Sequence, residues 1–150
     1  AQLAGTERPV IRHQTGPRDL VSVQAAYAAI DANADVQPFI NDMAAAFAWA
    51  DLVVCRSGAL TVAELAAAGA ASVLVPFPHA VDDHQRVNAE FLVRGNAGHC
   101  VIQRDLTVET LAQLLRQSRD QLLQQAIAAR ALARPEAAQT VATICEELAA

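Results

Sequence analysis

The pattern of apolar and polar positions divides the chain into short apolar runs separated by helical segments. Residues 52–55 (LVVC) and 72–77 (SVLVPF) read as continuous apolar runs without alternation. This pattern is typical of strands that are covered on both faces of a parallel sheet. Weaker strand patterns lie at residues 10–14, 36–40 and 99–102.

Helical periodicity fills the gaps between these strands, at residues 20–30, 42–49, 59–68 and 82–94. The alternation of strands and helices predicts an α/β fold, with a Rossmann-like parallel sheet and helices on both of its faces. Gly69, Gly95 and Gly98 fall where helices are expected to end, a position that favours residues able to adopt a positive φ.

After residue 102 the pattern becomes wholly helical. Apolar positions around Leu111 form one face, and Ser118 followed by Gln121 predicts a capping box at the start of the next helix. Pro135 breaks the run, and a last helix follows. Its apolar side carries Ala137, Val141, Ile144, Cys145 and Leu148. We expect one domain over residues 1–150, with a sheet region at 1–103 and C-terminal helices at 104–150.

Composition and charge exclude several classes of function. The 150 residues are 53% hydrophobic and 18% charged, with a net charge of −5, so the chain can bury a core but has no basic character. The 11 basic residues are scattered, so neither a nucleic-acid footprint nor a membrane-docking patch is expected. No apolar run approaches the roughly 18 residues that a spanning helix needs.

The cysteines and the N-terminus add two further expectations. Cys55, Cys100 and Cys145 are far apart without a C-x-x-C motif, so neither a disulfide framework nor a zinc site is indicated, and we expect three buried thiols in a cytosolic protein. The first residues, AQLAGTERP, lack the features of a secretory signal and an initiator Met. We therefore expect a fragment or a processed chain.

The first candidate site is the corner VVCRSGALTVAE at residues 53–64. Gly58 allows the backbone to approach a ligand closely, and the N–H groups of Ala59 to Thr61 lie in a first helical turn, where they have no intrahelical acceptor. Such a turn can bind a phosphate, and Glu64 on the same side can accept from sugar hydroxyls. Alternatively, Ser57 caps the helix and Thr61 with Glu64 forms a capping box. The residues alone slightly favour the second interpretation.

Two further corners follow other predicted strands. In VPFPHAVDDHQRVNAE, residues 75–90, Asp82 or Asp83 is expected to be an N-cap, and Gln85 and Asn88 share a face suited to neutral hydroxyls. No recognisable metal-ligand spacing joins the nearby histidines. In VQPFINDMAAA, residues 36–46, Phe39 and Ile40 are expected to end a strand before a cap at Asn41-Asp42. They could hold a planar base, although packing is the commoner explanation.

Two long motifs carry a resemblance to a known family. PFINDMAAAFAWADLVVCRSGALTVAELAAAG at residues 38–69 and VPFPHAVDDHQRVNAEFL at 75–92 closely resemble the C-terminal half of the MurG family, peptidoglycan glycosyltransferases that add N-acetylglucosamine to lipid I. The likeness extends upstream to IRHQTG at residues 11–16 and downstream into the terminal helices. It implies a two-domain glycosyltransferase of the GT-B type whose C-terminal domain binds UDP-N-acetylglucosamine.

The resemblance also implies residue roles. The Ile40 backbone matches the position that bonds the uracil edge, with Phe39 beside it, and Glu64 matches a ribose-binding carboxylate. The helix start matches the site of the diphosphate and sugar, and His84 and Gln85 match positions that contact sugar hydroxyls. The remaining matches to the donor-binding motif are Arg56, Ser57, Gly58, Ala59, Leu60, Thr61 and Asn88.

Departures from the family pattern limit what the resemblance implies. The family's domain begins with a strand and a glycine-rich, GGS-like loop, and neither is present here. An N-terminal domain that carries the acceptor surface, the membrane contact and the proposed catalytic base is also absent. The resemblance therefore implies binding of lipid I and of the cytoplasmic face of the bacterial inner membrane only through that missing domain. It implies no cofactor, no metal and no catalytic residue in this chain, which alone should be inactive.

The missing first strand has a structural consequence. In the strand order 3-2-1-4-5-6 it is central, so the strands at residues 10–14 and 52–55 lose a shared neighbour. We expect that these strands pair directly, that another chain fills the gap by self-association, or that the missing piece is present. The last helix should show an unsatisfied apolar face.

Alternative functions come from different classes. A non-catalytic nucleotide-sugar-binding or partner-interaction module of α/β fold is the first, and an α/β scaffold whose helix caps only look like a site is the second. A dehydrogenase is disfavoured because no G-x-G-x-x-G follows a strand, and a P-loop enzyme because no G-x-x-x-x-G-K occurs.

Overall fold

A computed structural model describes residue 3 and residues 8–80 and 83–149 of the chain. In these residues, five strands alternate with four α-helices through the first two thirds, and three more α-helices make up the last third. The strands are β1 (Ile11–Gln14), β2 (Ala34–Gln37), β3 (Val53–Cys55), β4 (Ser72–Leu74) and β5 (Gly98–Cys100). The helices are α1 (Leu20–Ala28), α2 (Met43–Trp49), α3 (Ala59–Ala68), α4 (His84–Arg94), α5 (Val108–Leu115), α6 (Arg119–Ala131) and α7 (Ala137–Ala149), with a 3-10 turn at Gln103–Asp105.

The predicted α/β fold is confirmed, but the bounds of three strands were wrong. The strand expected at residues 99–102 lies at Gly98–Cys100. The strand expected at residues 72–77 ends at Leu74, because Pro76 has no N–H to continue the ladder. The strand expected at residues 36–40 lies at Ala34–Gln37, because Pro38 follows it. Phe39 and Ile40 therefore lie in the loop after β2 and do not end a strand.

The strands form two separate parallel sheets. One sheet pairs β1 with β2, and the other has the order β3-β4-β5. In the described part of the chain β1 and β3 do not pair, so the expectation of direct pairing was wrong. The break falls at the place predicted for the absent central strand. Filling of the gap by another chain or by an additional segment stays a prediction.

The chain divides into two compact units, and the first comprises Ala1–Trp49 and Leu106–Gln117. Its sheet extends beyond the strand ends, because Thr15 N donates to the Gln37 carbonyl (3.0 Å) and Gly16 N to the Pro38 carbonyl (3.1 Å). Gly16 has a φ of 75°, a value that glycine adopts without strain. The extended pairing fixes the start of the loop that follows β2.

The second unit comprises Ala50–Asp105 and Ser118–Ala150. All residues of its central strand β4 are buried, as expected for a strand covered on both faces. Helix α3 packs against α4 and α6, and α4 packs against β5. The largest fully buried side chains are Leu65, Leu74, Leu92, Val73, Ser57 and Ser72. Because the predicted division at residues 103 and 104 is not tested by this architecture, it stays a prediction.

Glycine roles differ from the expectation at two positions. Gly69 ends α3 with a φ of 66°, as predicted. Gly95 follows α4 with a φ of −85°, and Asn96 takes the left-handed conformation instead. Gly98 begins β5, where an added Cβ would lie 2.3 Å from the Ser72 carbonyl oxygen. The role of Gly98 is therefore to permit close approach of two strands.

The C-terminal helices follow the sequence prediction. Ser118 and Gln121 form the predicted capping box at the start of α6. The helical run is interrupted around Pro135, between the end of α6 and the start of α7. Helix α7 has no buried residue, and its apolar side is exposed, with Leu148 84% accessible. The expected unsatisfied face is thus confirmed for the described residues. Within the same residues, no helix combines the length and the apolar character required to cross a bilayer.

Candidate functional site

The turn between β3 and α3 presents a helix start without a side-chain cap. Gly58 is the N-cap, with φ −62° and ψ 149°, and as a glycine it supplies no side-chain cap bond. The first helical bond is donated by Val62 N to the Gly58 carbonyl (3.0 Å). The N–H groups of Ala59, Leu60 and Thr61 therefore precede the first intrahelical bond, at the positive end of the helix dipole.

Both capping alternatives considered for this turn were wrong. The Ser57 hydroxyl does not cap α3, because it donates to the Gln85 carbonyl at 2.7 Å. A capping box with Thr61 as N-cap is excluded because the helix already begins at Ala59. Neither Ser57 nor Thr61 therefore caps the N–H groups at the start of α3, and an uncapped helix start can bind an anion.

Exposed side chains surround this helix start. Leu60 is 81% accessible, Thr61 is half-buried, and Glu64 is exposed on the next turn of α3. Glu64 lies three residues after Thr61, so the two share one side of the helix. The arrangement combines backbone donors for an anion with a carboxylate that can accept from hydroxyl groups.

Ser57 and Asn88 join this turn to α4 through reciprocal bonds. Besides the bond from Ser57 to Gln85, the Asn88 side-chain amide donates to the Ser57 carbonyl (3.1 Å). The Gln85 side-chain oxygen accepts from Phe77 N (2.9 Å). The polar groups of Ser57 and Asn88 that were expected to face a ligand therefore bond the protein itself. They position the turn that precedes α3.

Arg56 is likewise used by the protein. Its Nη1 donates to the carbonyls of Val75 and Pro76 (both 3.1 Å), and its Nη2 donates to the Gln103 side chain at 2.7 Å. The guanidinium also lies 5.5 Å from the centre of the Phe77 ring. Arg56 thus holds the segment that leaves β4, a role that the local sequence did not indicate because its acceptors are about 20 and 47 residues away.

The start of α4 differs from the expected cap. Asp83 is at the N-cap position with a φ of 54°, but its side chain makes no cap bond and pairs with Arg86 instead. Asp82 lies outside the described residues. His84 is exposed at the first position of α4. Among the described residues, no group of three or more His, Cys, Asp or Glu side chains is placed to hold a metal ion.

The loop after β2 forms a second corner, in the first unit. Phe39 is 63% exposed, which does not agree with the alternative that it packs in a core. Ile40 N donates to the Gln14 side-chain oxygen at 2.8 Å. Asp42 Oδ1 accepts from Ala45 N (2.8 Å), which confirms the predicted cap of α2. Gln14 was not recognised as a site residue from the sequence, although it lies in the IRHQTG segment.

Cys55 is the last residue of β3, before the turn to α3, whereas Cys100 lies in β5 and Cys145 in α7. Burial raises the pKa of the Cys55 thiol from 9.0 to about 11, so this group is protonated at neutral pH. Cys100 is half-buried, and burial raises its pKa as well. Cys145 is exposed, so the expectation of three buried thiols was wrong.

A family model and individual proteins that are similar to this chain all point to one family. The family described as "Glycosyltransferase family 28 C-terminal domain" matches residues 2–145. A "UDP-N-acetylglucosamine–N-acetylmuramyl-(pentapeptide) pyrophosphoryl-undecaprenol N-acetylglucosamine transferase" of Aromatoleum aromaticum is 54% identical over 151 residues, which cover 100% of this chain and 42% of that protein. The protein of the same name from Cupriavidus necator is 55% identical over 150 residues, with 99% and 42% coverage.

A solved structure shows the same fold. The crystal structure of Acinetobacter baumannii MurG matches with a TM-score of 0.84 at 45% identity, covering 91% of this chain and 42% of that one. The parallel sheets and flanking helices match the C-terminal domain of a GT-B glycosyltransferase. The chain belongs to the glycosyltransferase family 28 C-terminal domain family. It spans 42% of the length of the relatives named here.

Proposed function

We propose that this chain binds UDP-N-acetylglucosamine and is the donor-binding part of an enzyme that transfers N-acetylglucosamine to lipid I, forming lipid II in peptidoglycan synthesis. The observation that carries the proposal is the start of α3. Its N-cap is a glycine, which has no side chain to cap the helix, and the neighbouring Ser57 hydroxyl is directed to Gln85. A helix start of this kind binds the charged oxygens of a diphosphate.

The residue roles in this proposal are those that the family motif implies. The N–H groups of Ala59, Leu60 and Thr61 bond the diphosphate, and the Glu64 carboxylate accepts from the ribose hydroxyls. His84 and Gln85, at the start of α4, contact hydroxyls of the sugar. The Ile40 backbone bonds the uracil edge, and the exposed Phe39 ring lies next to it in sequence.

The chemistry assigned to this chain is stabilisation of the leaving group. A hydroxyl of the acceptor attacks the anomeric carbon of the donor, and the bond from that carbon to the diphosphate oxygen breaks. Negative charge then develops on the diphosphate, where the aligned N–H groups of the α3 start stabilise it. No residue of this chain is assigned as the base that removes the acceptor's proton.

The base, the lipid I acceptor and the membrane contact are assigned to the part of the relatives that this chain does not match. The proposed place of action is the cytoplasmic face of the bacterial inner membrane. The proposal needs no metal ion, because backbone N–H groups supply the positive charge density at the leaving group.

Calorimetric titration of UDP and UDP-N-acetylglucosamine into the chain and into its Glu64→Ala variant tests the proposal. We expect the variant to bind about 10- to 100-fold more weakly, since hydrogen bonds to a charged group contribute about 1.5–3 kcal/mol. Glu147→Ala removes an exposed carboxylate of α7 and is the matched control, with unchanged affinity expected.

Two outcomes would change the proposal. Equal binding by the wild type and the Glu64→Ala variant would remove the ribose assignment, and the absence of any binding would remove the proposed function. Binding of UDP without transfer, after the unmatched N-terminal part of the Aromatoleum relative is supplied, would favour a non-catalytic nucleotide-sugar-binding module.

A further inference from the structure

The side chain of Gln14 bonds the backbone group that the proposed function assigns to the base. Gln14 is the last residue of β1, and its Oε1 accepts from Ile40 N at 2.8 Å. Both residues belong to the first unit. The Ile40 N–H therefore already has an acceptor from the protein, and a base that bonds the same N–H has to replace it.

The loop that carries Ile40 is anchored independently of Gln14. At its start, Thr15 N and Gly16 N donate to the carbonyls of Gln37 and Pro38. At its end, the Asp42 carboxylate caps α2 through Ala45 N. The backbone on both sides of Ile40 is thus fixed by other bonds. The loop does not depend on Gln14 for its position, and the main effect of the Gln14 side chain is to occupy the Ile40 N–H.

The chemistry of the glutamine side chain matches that of the base. A primary amide presents a carbonyl oxygen beside an N–H donor. The edge of uracil presents the same pair, a ring carbonyl beside the ring N–H. The two groups therefore compete for one backbone donor, and the energy of the bond to Gln14 is subtracted from that of the bond to the base.

We propose that Gln14 determines the affinity for the base, by occupying the Ile40 N–H until uracil displaces its side-chain amide. This inference rests on the proposed function, because it needs the Ile40 backbone to bind the base. Gln14 is then a specificity-determining residue, because a pyrimidine binds only if it accepts from the Ile40 N–H more strongly than the Gln14 side chain does. It touches the base site without taking part in the transfer reaction.

Titration of uridine, followed by amide chemical shifts, tests the inference in the wild type and three variants of the chain. Uridine is used because it carries no phosphate charge. We expect Gln14→Ala to bind about two- to tenfold more tightly, the fold-change that one ordinary hydrogen bond represents. We expect Gln14→Glu to bind more weakly, because a carboxylate is a stronger acceptor for the Ile40 N–H.

Gln37→Ala is the matched control, because Gln37 is the register partner of Gln14 on β2 and its amide bonds the Asp35 side chain at 2.7 Å. Its uridine affinity should equal that of the wild type. Hydrogen exchange at the Ile40 amide gives a second readout: without uridine it should be faster in Gln14→Ala than in the wild type, and saturating uridine should slow it in both.

The outcomes separate this inference from the proposed function. If the wild type binds uridine and Gln14→Ala binds equally or more weakly, the inference is overturned and the proposed function stands. If neither the wild type nor Gln14→Ala binds uridine or UDP, both are overturned. Tighter binding by Gln14→Ala with unchanged binding by Gln37→Ala supports both.

Discussion

The hydroxyl of Ser57 donates to the backbone carbonyl of Gln85 at 2.7 Å, and this bond joins the turn before α3 to the start of α4. Asn88, one turn further along α4, returns a bond to the Ser57 carbonyl. The two corners assigned to the diphosphate and the sugar are therefore held together by a residue that needs no contact with either ligand.

Ser57→Ala should destabilise the protein by about 0.5–1.5 kcal/mol, because it removes the bond from the buried Ser57 hydroxyl and leaves the Gln85 carbonyl with only its bond within α4. Urea unfolding at a constant m value measures the change. Ser22→Ala is the control, since the exposed Ser22 hydroxyl also donates to a backbone carbonyl, that of Asp19, at 2.9 Å. Equal and small effects of both substitutions would contradict the positioning role of Ser57.

Arg56→Lys should destabilise the protein by about 1–3 kcal/mol, because one ammonium group cannot reproduce the bonds to Val75, Pro76 and Gln103. Thermal and urea unfolding measure the loss. Arg104→Lys, at a side chain that is 84% exposed, should change stability by less than about 0.5 kcal/mol. If Arg56→Lys is as neutral as this control but weakens UDP binding, Arg56 contacts the ligand and does not act as a positioning residue.

Gly58→Ala should separate binding from stability. The φ of −62° suits any residue, and an added Cβ would lie 3.8 Å from Thr61 Oγ1, an ordinary contact. We expect the free energy of unfolding to change by less than about 0.5 kcal/mol. The methyl group would project where the diphosphate approaches, so UDP affinity should fall by about tenfold, or about 1.4 kcal/mol. Calorimetry measures the affinity, and an unchanged value would mean that the ligand does not approach Gly58.

Gly98→Ala should show the opposite behaviour. Its Cβ would lie 2.3 Å from the Ser72 carbonyl oxygen, so β5 has to move away from β4. Overpacking of this kind costs about 1–3 kcal/mol or more. We expect the variant to have a lower melting temperature than the wild type. An unchanged melting temperature would show that β4 and β5 can move apart without loss of stability.

The thiols should differ in reactivity and in their effect on stability. At pH 8 we expect alkylation of the exposed Cys145 well before Cys55, as followed by mass spectrometry.

Because burial raises the pKa of folded Cys55 from 9.0 to about 11, the thiol stabilises the folded state below pH 9 and this contribution is lost as the pH rises to about 11. Cys55→Ala should reduce that loss, and the same slope in both proteins would contradict it.

The sequence predicted features that depend on nearby residues. The bounds of α3 and the capping box of α6 agree with the prediction residue for residue. The direction of the Ser57 hydroxyl could not be predicted, because a serine beside a helix start can bond either its own helix or a distant carbonyl. The choice depends on where Gln85, 28 residues away, is brought by the fold.

The same limit applies to the base corner. The spacing of Phe39 and Ile40 indicated a possible base site, but not that Gln14 bonds the Ile40 N–H from 26 residues upstream. Strand ends were missed for a simpler reason. Apolar residues continue past Pro38 and Pro76, while the ladder of hydrogen bonds needs an N–H that proline lacks.

The separation of the strands into two sheets sets how local opening proceeds. Because no described strand pairs across both sheets, each sheet can exchange its amide hydrogens with solvent while the other stays closed, as two foldons do. Among the described residues, each strand of the two-stranded sheet is paired on one side only, whereas β4 is paired on both sides. We therefore expect faster hydrogen exchange in the sheet that precedes Ile40 than in β4.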